Sequence, residues 1–149
     1  LIDGAQGWLG RALVSQTWDY ALDEFPCGEG RLYIPLPPLI SITTLAYTST
    51  ANVDTPLTTF RTFSAALATG RGYIVPEIDT EWPDTICEPE AVRLRFVAGY
   101  ATVPPGIKHA IMLMAGHWYE NREDVGDGKL VKMPLASEAL LMPHRNWHG

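Results

Sequence analysis

Cysteine is scarce in this sequence: 149 residues contain two, Cys27 and Cys87, far apart and each near a proline in a loop-like stretch. Two isolated thiols make no metal framework and only a weak disulfide case. Both are expected free and reduced, which favours assembly inside a cell. Basic charge is also scarce, 11 Lys and Arg against 17 Asp and Glu, for a net charge of −6. That argues against a protein that grips nucleic-acid phosphates, though not against one that surrounds DNA without holding it. No window reaches the roughly 18 uninterrupted apolar residues of a membrane span; residues 107–119 come closest, and Lys108, His109 and His117 interrupt them. Catalytic signatures are missing as well. There is no Gly-x-Ser-x-Gly, and neither cysteine has a local base. Gly28-Glu29-Gly30 and Gly70-Arg71-Gly72 lack the third glycine and the strand-to-helix context of a phosphate loop, so they read as hairpin turns. The acid pairs Asp23-Glu24 and Glu88/Glu90 fall in loops and read as solvated turn charges.

What is present is a globular composition, 46% hydrophobic and 19% charged, in a chain long enough for one domain with a real core. The chain opens Leu1-Ile-Asp-Gly-Ala-Gln-Gly-Trp-Leu-Gly-Arg11 without an initiator Met. This reads like the tail of a helix already under way, so further N-terminal residues are expected before it. Residues 1–13 are expected to be helical, with Ile2, Ala5, Trp8, Leu9 and Ala12 or Leu13 on one side, weakened by Gly7 and Gly10.

From Ser15 the period changes to two. Trp18, Tyr20 and Leu22 alternate with polar or small residues as a half-buried strand. Leu32 and Ile34 begin a second strand that Pro35, Pro37 and Pro38 cut short, because each proline lacks a ladder donor. Ile40–Thr48 is a third strand whose apolar phase slips between Ile42 and Leu45, which predicts a bulge. Short strands follow at 53–57, 60–63 and 73–75, then a proline-rich acidic loop over 76–90. In the last strand, over 91–100, Val92, Leu94 and Phe96 face one way and Arg93 and Arg95 the other.

Residues 103–125 carry the only long helical period, with Ile107, Ile111, Met114 and Trp118 along one side. Pro104 and Pro105 suit its first turn, and Gly126 and Gly128 its end. Leu135–Leu141 forms one or two further turns, stopped by Pro143. The fold class is therefore α+β: a helical bundle formed by the chain ends, with a small antiparallel β-sandwich or barrel inserted. The parts are 1–14 helical, 15–101 β, 103–125 the main helix, and 126–149 a linker, short helix and tail.

Few residues suggest chemistry. His109 and His117 lie roughly 12 Å apart along a helix at about 1.5 Å per residue, too far to share a metal ion. His117 and Glu120 stand at i, i+3, but a metal site normally needs a third or fourth ligand; a histidine packed beside Trp118 explains them more simply. Trp8, Trp18 and Trp118 read as core or helix-seam residues. Trp147 lies in a short polar tail that cannot build its own core, so it either stays loose or anchors in a partner. Trp and Arg are the usual interface anchors, and Arg145 is two residues away.

Several stretches occur in an order that resembles a known family. They are Gly10-Arg-Ala-Leu-Val-Ser-Gln-Thr-Trp18, Leu36-Pro-Pro-Leu39, Trp82-Pro83, Val97-Ala-Gly-Tyr100, Ile107-Lys-His-Ala110, His117-Trp-Tyr-Glu-Asn-Arg-Glu123, Pro134-Leu135 and Ala139-Leu-Leu141. Together they look like the head–tail connector (adaptor) proteins of tailed phages and phage-like gene transfer agents. The resemblance implies a non-enzymatic ring subunit with no cofactor and no metal. The ring is usually dodecameric and sits beneath the portal protein, above a stopper or tail protein, with DNA passing through the lumen without specific binding. It implies assembly in the bacterial cytoplasm and residence in the head–tail neck of the particle. Trp118, Tyr119, Glu120, Arg122 and Leu140 are then candidate contacts to a neighbouring subunit or the portal, and Arg145 and Trp147 are candidate portal anchors. Two other roles stay open: a neck stopper or tail-completion protein, and a small metal- or ligand-binding enzyme domain using His117 and Glu120.

Overall fold

Alternation decides the centre of the molecule. Val92, Leu94, Phe96 and Ala98 are all but fully buried, while Arg93 and Arg95 between them point to solvent. A strand with that pattern belongs in the middle of a half-buried sheet. In the computed structural model, which describes residues 7–27, 30–64, 71–120 and 135–146, seven strands and two α-helices stand among those residues. The strands are β1 (Gln16–Leu22), β2 (Leu32–Tyr33), β3 (Leu39–Thr48), β4 (Asp54–Pro56), β5 (Phe60–Phe63), β6 (Tyr73–Pro76) and β7 (Val92–Ala98); the helices are α1 (Pro105–Glu120) and α2 (Leu135–Leu141). Expectations for residues 1–6 and 121–134, Arg122 among them, and for Trp147 lie outside the described residues.

The strands form two antiparallel sheets, of order β1-β7-β3-β4 and β2-β6-β5. Trp18, Tyr20 and Leu22 sit opposite Phe96, Leu94 and Val92. On the other side of β7, the β3 register slips between Leu39 and Ser41 and again between Ile42 and Thr44. The second slip falls within the stretch where the apolar phase of the sequence changes. Inner-face residues of both sheets share one core: Leu32, Ile34 and Ile74 from the region of the smaller sheet meet Leu45, Val92, Leu94 and Phe96. Phe25 and Trp82 cap it as a parallel stack with centroids 4.7 Å apart. The Trp82 indole N–H donates to the Gly30 carbonyl at 2.7 Å, so the ring is buried without stranding its polar edge.

A second core joins the chain ends. Leu9, Leu13, Ile107, Ala110, Met114 and Leu141 are buried together, flanked by Trp8, Tyr100 and Val103. The apolar spacing of residues 7–13 predicts a helix, but they form a bent strap. Gly10 takes a φ of +60°, which breaks a right-handed helix, and its N–H closes a turn onto the Gly7 carbonyl. The strap is tied to both neighbours: Ala12 N–H donates to the Pro37 carbonyl, and Leu9 accepts from Asn146 N–H at 2.8 Å. Arg11, wholly buried, donates from Nε to the His144 carbonyl and from Nη1 to the Tyr100 hydroxyl at 3.2 Å. Among the described residues the chain ends thus supply two helices and a strap, which is less than a bundle.

Candidate interaction surfaces

The sequence places Ile107, Ile111, Met114 and Trp118 on the packed side of α1. The structure buries Ile107, Ala110 and Met114, and leaves Ile111 39% and Trp118 48% exposed. The helical period agrees with the sequence reading and the phase does not. Ala110 is small enough to let the strap residues Leu9 and Leu13 lie against the helix, so the buried stripe rotates toward it. Among the described residues, nothing covers the remaining apolar side chains of α1.

Those side chains are numerous. Met112 is 60% exposed, Leu113 47% and Tyr119 71%; on and beside α2, Leu135 is 83% exposed, and Leu140 and Met142 are partly open. Between the helices runs an open groove, walled by Met112, Leu113 and Gly116 of α1 and by Ala136 and Leu140 of α2, with His109, His117 and Glu120 also lining it. His117 and Glu120 therefore do share a site, but no group of three or more His, Cys, Asp or Glu capable of holding a metal stands among the described residues. A helix apolar on nearly every side is a helix meant to be covered.

Of the residues singled out from sequence, Trp118, Tyr119, Glu120 and Leu140 lie on this helical surface, all exposed. Arg145 is placed differently. Its guanidinium lies 4.9 Å from the centre of the Trp8 ring, so within this chain it stacks on the strap. Sequence reasoning misses Ile111, Met112, Leu113 and Leu135 as surface residues. A signal is available: Ile111-Met112-Leu113-Met114 is four consecutive apolar residues, and consecutive helical positions cannot all face one core.

The outer face of the larger sheet is polar and self-satisfied. Arg95 holds Asp19 in a two-pronged pair at 2.6 and 2.9 Å, and Arg93 pairs with Asp54, which also accepts from the Thr48 hydroxyl. The hydrogen bond from Arg95 lowers the Asp19 carboxyl below its usual range; Thr48 and then Arg93 do the same for Asp54, and Asp19 in turn raises Arg95. These pairs are solvent-exposed, so their effect is local.

No family profile matches the sequence, and no curated protein matches it significantly. Solved particle structures do contain similar chains. One, from the neck of a native GTA particle computed with C12 symmetry, matches with a TM-score of 0.71 and 25% identity over 93% of this chain and 74% of that one. One from the neck of an empty GTA particle computed with C6 symmetry matches at 0.71 and 24%, over 93% and 69%. A third, from the virion of a native gene transfer agent particle, matches at 0.72 and 25%, again over 93% and 69%. The fold is thus similar, over nearly the whole chain, to that of structural chains built into gene transfer agent particles, two of them seen in necks.

Proposed function

We propose that this chain is a structural component of the neck of a phage-like particle, and within the neck a ring-forming adaptor between the portal and the tail. The observation that carries the proposal is the uncovered apolar surface of α1 and α2, on a chain whose fold is similar to that of neck chains. A closed ring built from one kind of subunit needs two different sticky flanks per copy. Exposed Ile111 and Trp118 on one side of α1, and the Leu113–Leu140 groove on the other, supply such a pair of flanks. The C12 symmetry of one similar neck supports twelve copies. The net charge of −6 suits a conduit, because a lumen rich in Lys and Arg would retard the phosphate backbone that has to slide through it.

The test is assembly. The chain is expected to sediment as a monomer when dilute and as rings at high concentration or on a portal. Met112→Glu with Tyr119→Glu should leave the monomer folded, since both side chains are largely exposed, and should weaken ring formation by about tenfold or more. Electron micrographs of necks in which this chain forms no ring would defeat the proposal, and a position on the tail side of the adaptor level would make it the stopper instead.

A further inference from the structure

The smaller sheet turns its other face to solvent, and that face is unlike the rest of the molecule. Tyr33 of β2, Tyr73 of β6 and Phe63 of β5 are direct cross-strand partners, so their rings form a row across the sheet. Tyr73 sits at its centre, 5.1 Å from the Phe63 ring in a near-parallel stack and 5.8 Å from Tyr33. Tyr33 and Phe63 are 49% and 40% exposed. Two residues before each outer ring, on the same face, stands an arginine. The Arg31 guanidinium lies 4.9 Å from the centre of the Tyr73 ring, and Arg61 lies 5.8 Å from that of Phe63. Arg71, two residues before Tyr73, keeps a buried Nε with no hydrogen-bond partner among the described residues. Three of the chain's 11 basic residues therefore gather on one small sheet. None of the three makes an ion pair among the described residues, whereas Arg93 and Arg95 on the larger sheet both do.

Aromatic rings interleaved with arginine are the composition of protein-interface anchors, and rings that hold guanidinium groups in place reduce the entropy lost on docking. The same chain offers a surface of opposite character. At the far turn of the larger sheet, Asp23, Glu24 and Glu88 line one cleft together with Ile86 and Pro89. These three carboxylates have no cationic partner among the described residues. We propose that the Arg31–Tyr33–Tyr73–Phe63–Arg61 face of one copy docks the acidic Asp23–Glu24–Glu88 cleft of a second copy. Pro89 and Ile86 rest on the aromatic row, and the carboxylates meet the guanidinium groups. The two surfaces belong to different sheets and share no residue. Their contact is therefore head-to-tail, the kind that repeats around a ring. It adds a β-sheet contact to the helical one and rests on the ring reading above.

Nucleic acid suits the face less well. Duplex DNA hides the base faces that rings stack on, and Glu77 and Asp79 line the hollow between Arg31 and Arg61, where a continuous run of phosphates would meet them. A protein loop can instead place single carboxylates over each guanidinium.

Charge reversal in the full chain tests the pairing. Arg31→Glu with Arg61→Glu, and separately Glu24→Arg with Glu88→Arg, should each lower self-association measured by sedimentation velocity by about tenfold or more. The chain carrying all four changes should recover most of it. Circular dichroism should show all three variants folded, because Arg31, Glu24 and Glu88 are exposed and Arg61, half-buried, stands on the edge strand β5. Wild-type rings that persist unchanged with Arg31→Glu and Arg61→Glu, or a fourfold variant that gains nothing over the double ones, would overturn the pairing while leaving the ring reading intact. A wild-type chain that never associates, alone or on particles, would overturn both. Labelled single-stranded or duplex oligonucleotides retained by the wild type and released by Arg31→Glu/Arg61→Glu would also overturn it, by assigning the face to nucleic acid.

Discussion

Gly99 shows how a single position can hold two distant parts of the chain together. Its φ is +128°, and a Cβ placed there would fall 2.2 Å from the Val14 carbonyl oxygen. Backbone occupies the space, so a rotamer change cannot relieve the clash. Gly99→Ala should therefore cost more than about 1 kcal/mol, read as a fall in Tm of several degrees. In the sequence Gly99 is one residue near the end of the strand over 91–100; its reason, the close approach of Val14, depends on a tertiary contact that no local pattern reports. Asp19 is a different kind of residue effect. Its carboxyl titrates below the usual value because Arg95 hydrogen-bonds the charged form. The stability this adds is fully present above the unfolded-state pKa of about 4 and is lost as pH falls through the lower folded value. Asp19→Asn should be slightly less stable than wild type at neutral pH, and the two melting curves should converge on acidification. A gap that widens in acid would contradict the assigned cause. Added salt should narrow the difference as well, because the pair is exposed.

At the scale of elements, strands are more legible than the helix face. β1 and β7 each keep an uninterrupted period of two against one shared core, so alternation alone predicts which side chains point inward. The second bulge of β3 shows in the sequence as a slip in the apolar phase. On α1 the same kind of reasoning finds the helix but not its buried side, because Ile111 and Trp118 are as apolar as Ile107 and Met114. Only the choice of partner, the Leu9–Leu13 strap, breaks the tie. The strap itself reads as helix because its apolar spacing fits one, while Gly10 supplies a backbone angle that spacing cannot reveal. Gly116 sharpens the case for a covered α1. A glycine in mid-helix costs roughly 1 kcal/mol relative to alanine, and a Cβ there would meet nothing within 4 Å. Nothing among the described residues requires it. Gly116→Ala should raise the monomer's Tm by a few degrees, whereas Gly116→Leu, which fills the groove, should weaken ring assembly. Rings that form as readily with Gly116→Leu as with the wild type would show that no neighbour enters the groove.

For the whole molecule, the tail is where fold and assembly compete for the same residues. Read as sequence, residues 143–149 are a detachable anchor, and deleting them would be the natural test of docking. The structure makes that deletion ambiguous. Asn146 N–H donates to the Leu9 carbonyl, Arg145 stacks on Trp8, and the His144 carbonyl accepts from buried Arg11. Removing the tail strips these ties from the strap, together with the one from the Asn146 side-chain amide to the Gly10 carbonyl, and leaves the buried Arg11 guanidinium without the His144 acceptor, a loss that costs about 1–3 kcal/mol or more for a charged group. A truncated chain is thus expected to melt several degrees lower, and its failure to join a particle would not separate docking from folding. Trp147→Ala is the cleaner test, because it leaves the His144 carbonyl, Arg145 and Asn146 in place. If Trp147 is an anchor to the portal, Trp147→Ala should keep the wild-type Tm and still form rings, yet join portal-bearing particles at least tenfold less well, as expected when a buried aromatic anchor is truncated. Equal incorporation of Trp147→Ala and wild type would remove the tail from the portal interface and leave Arg145 with its intramolecular role on Trp8.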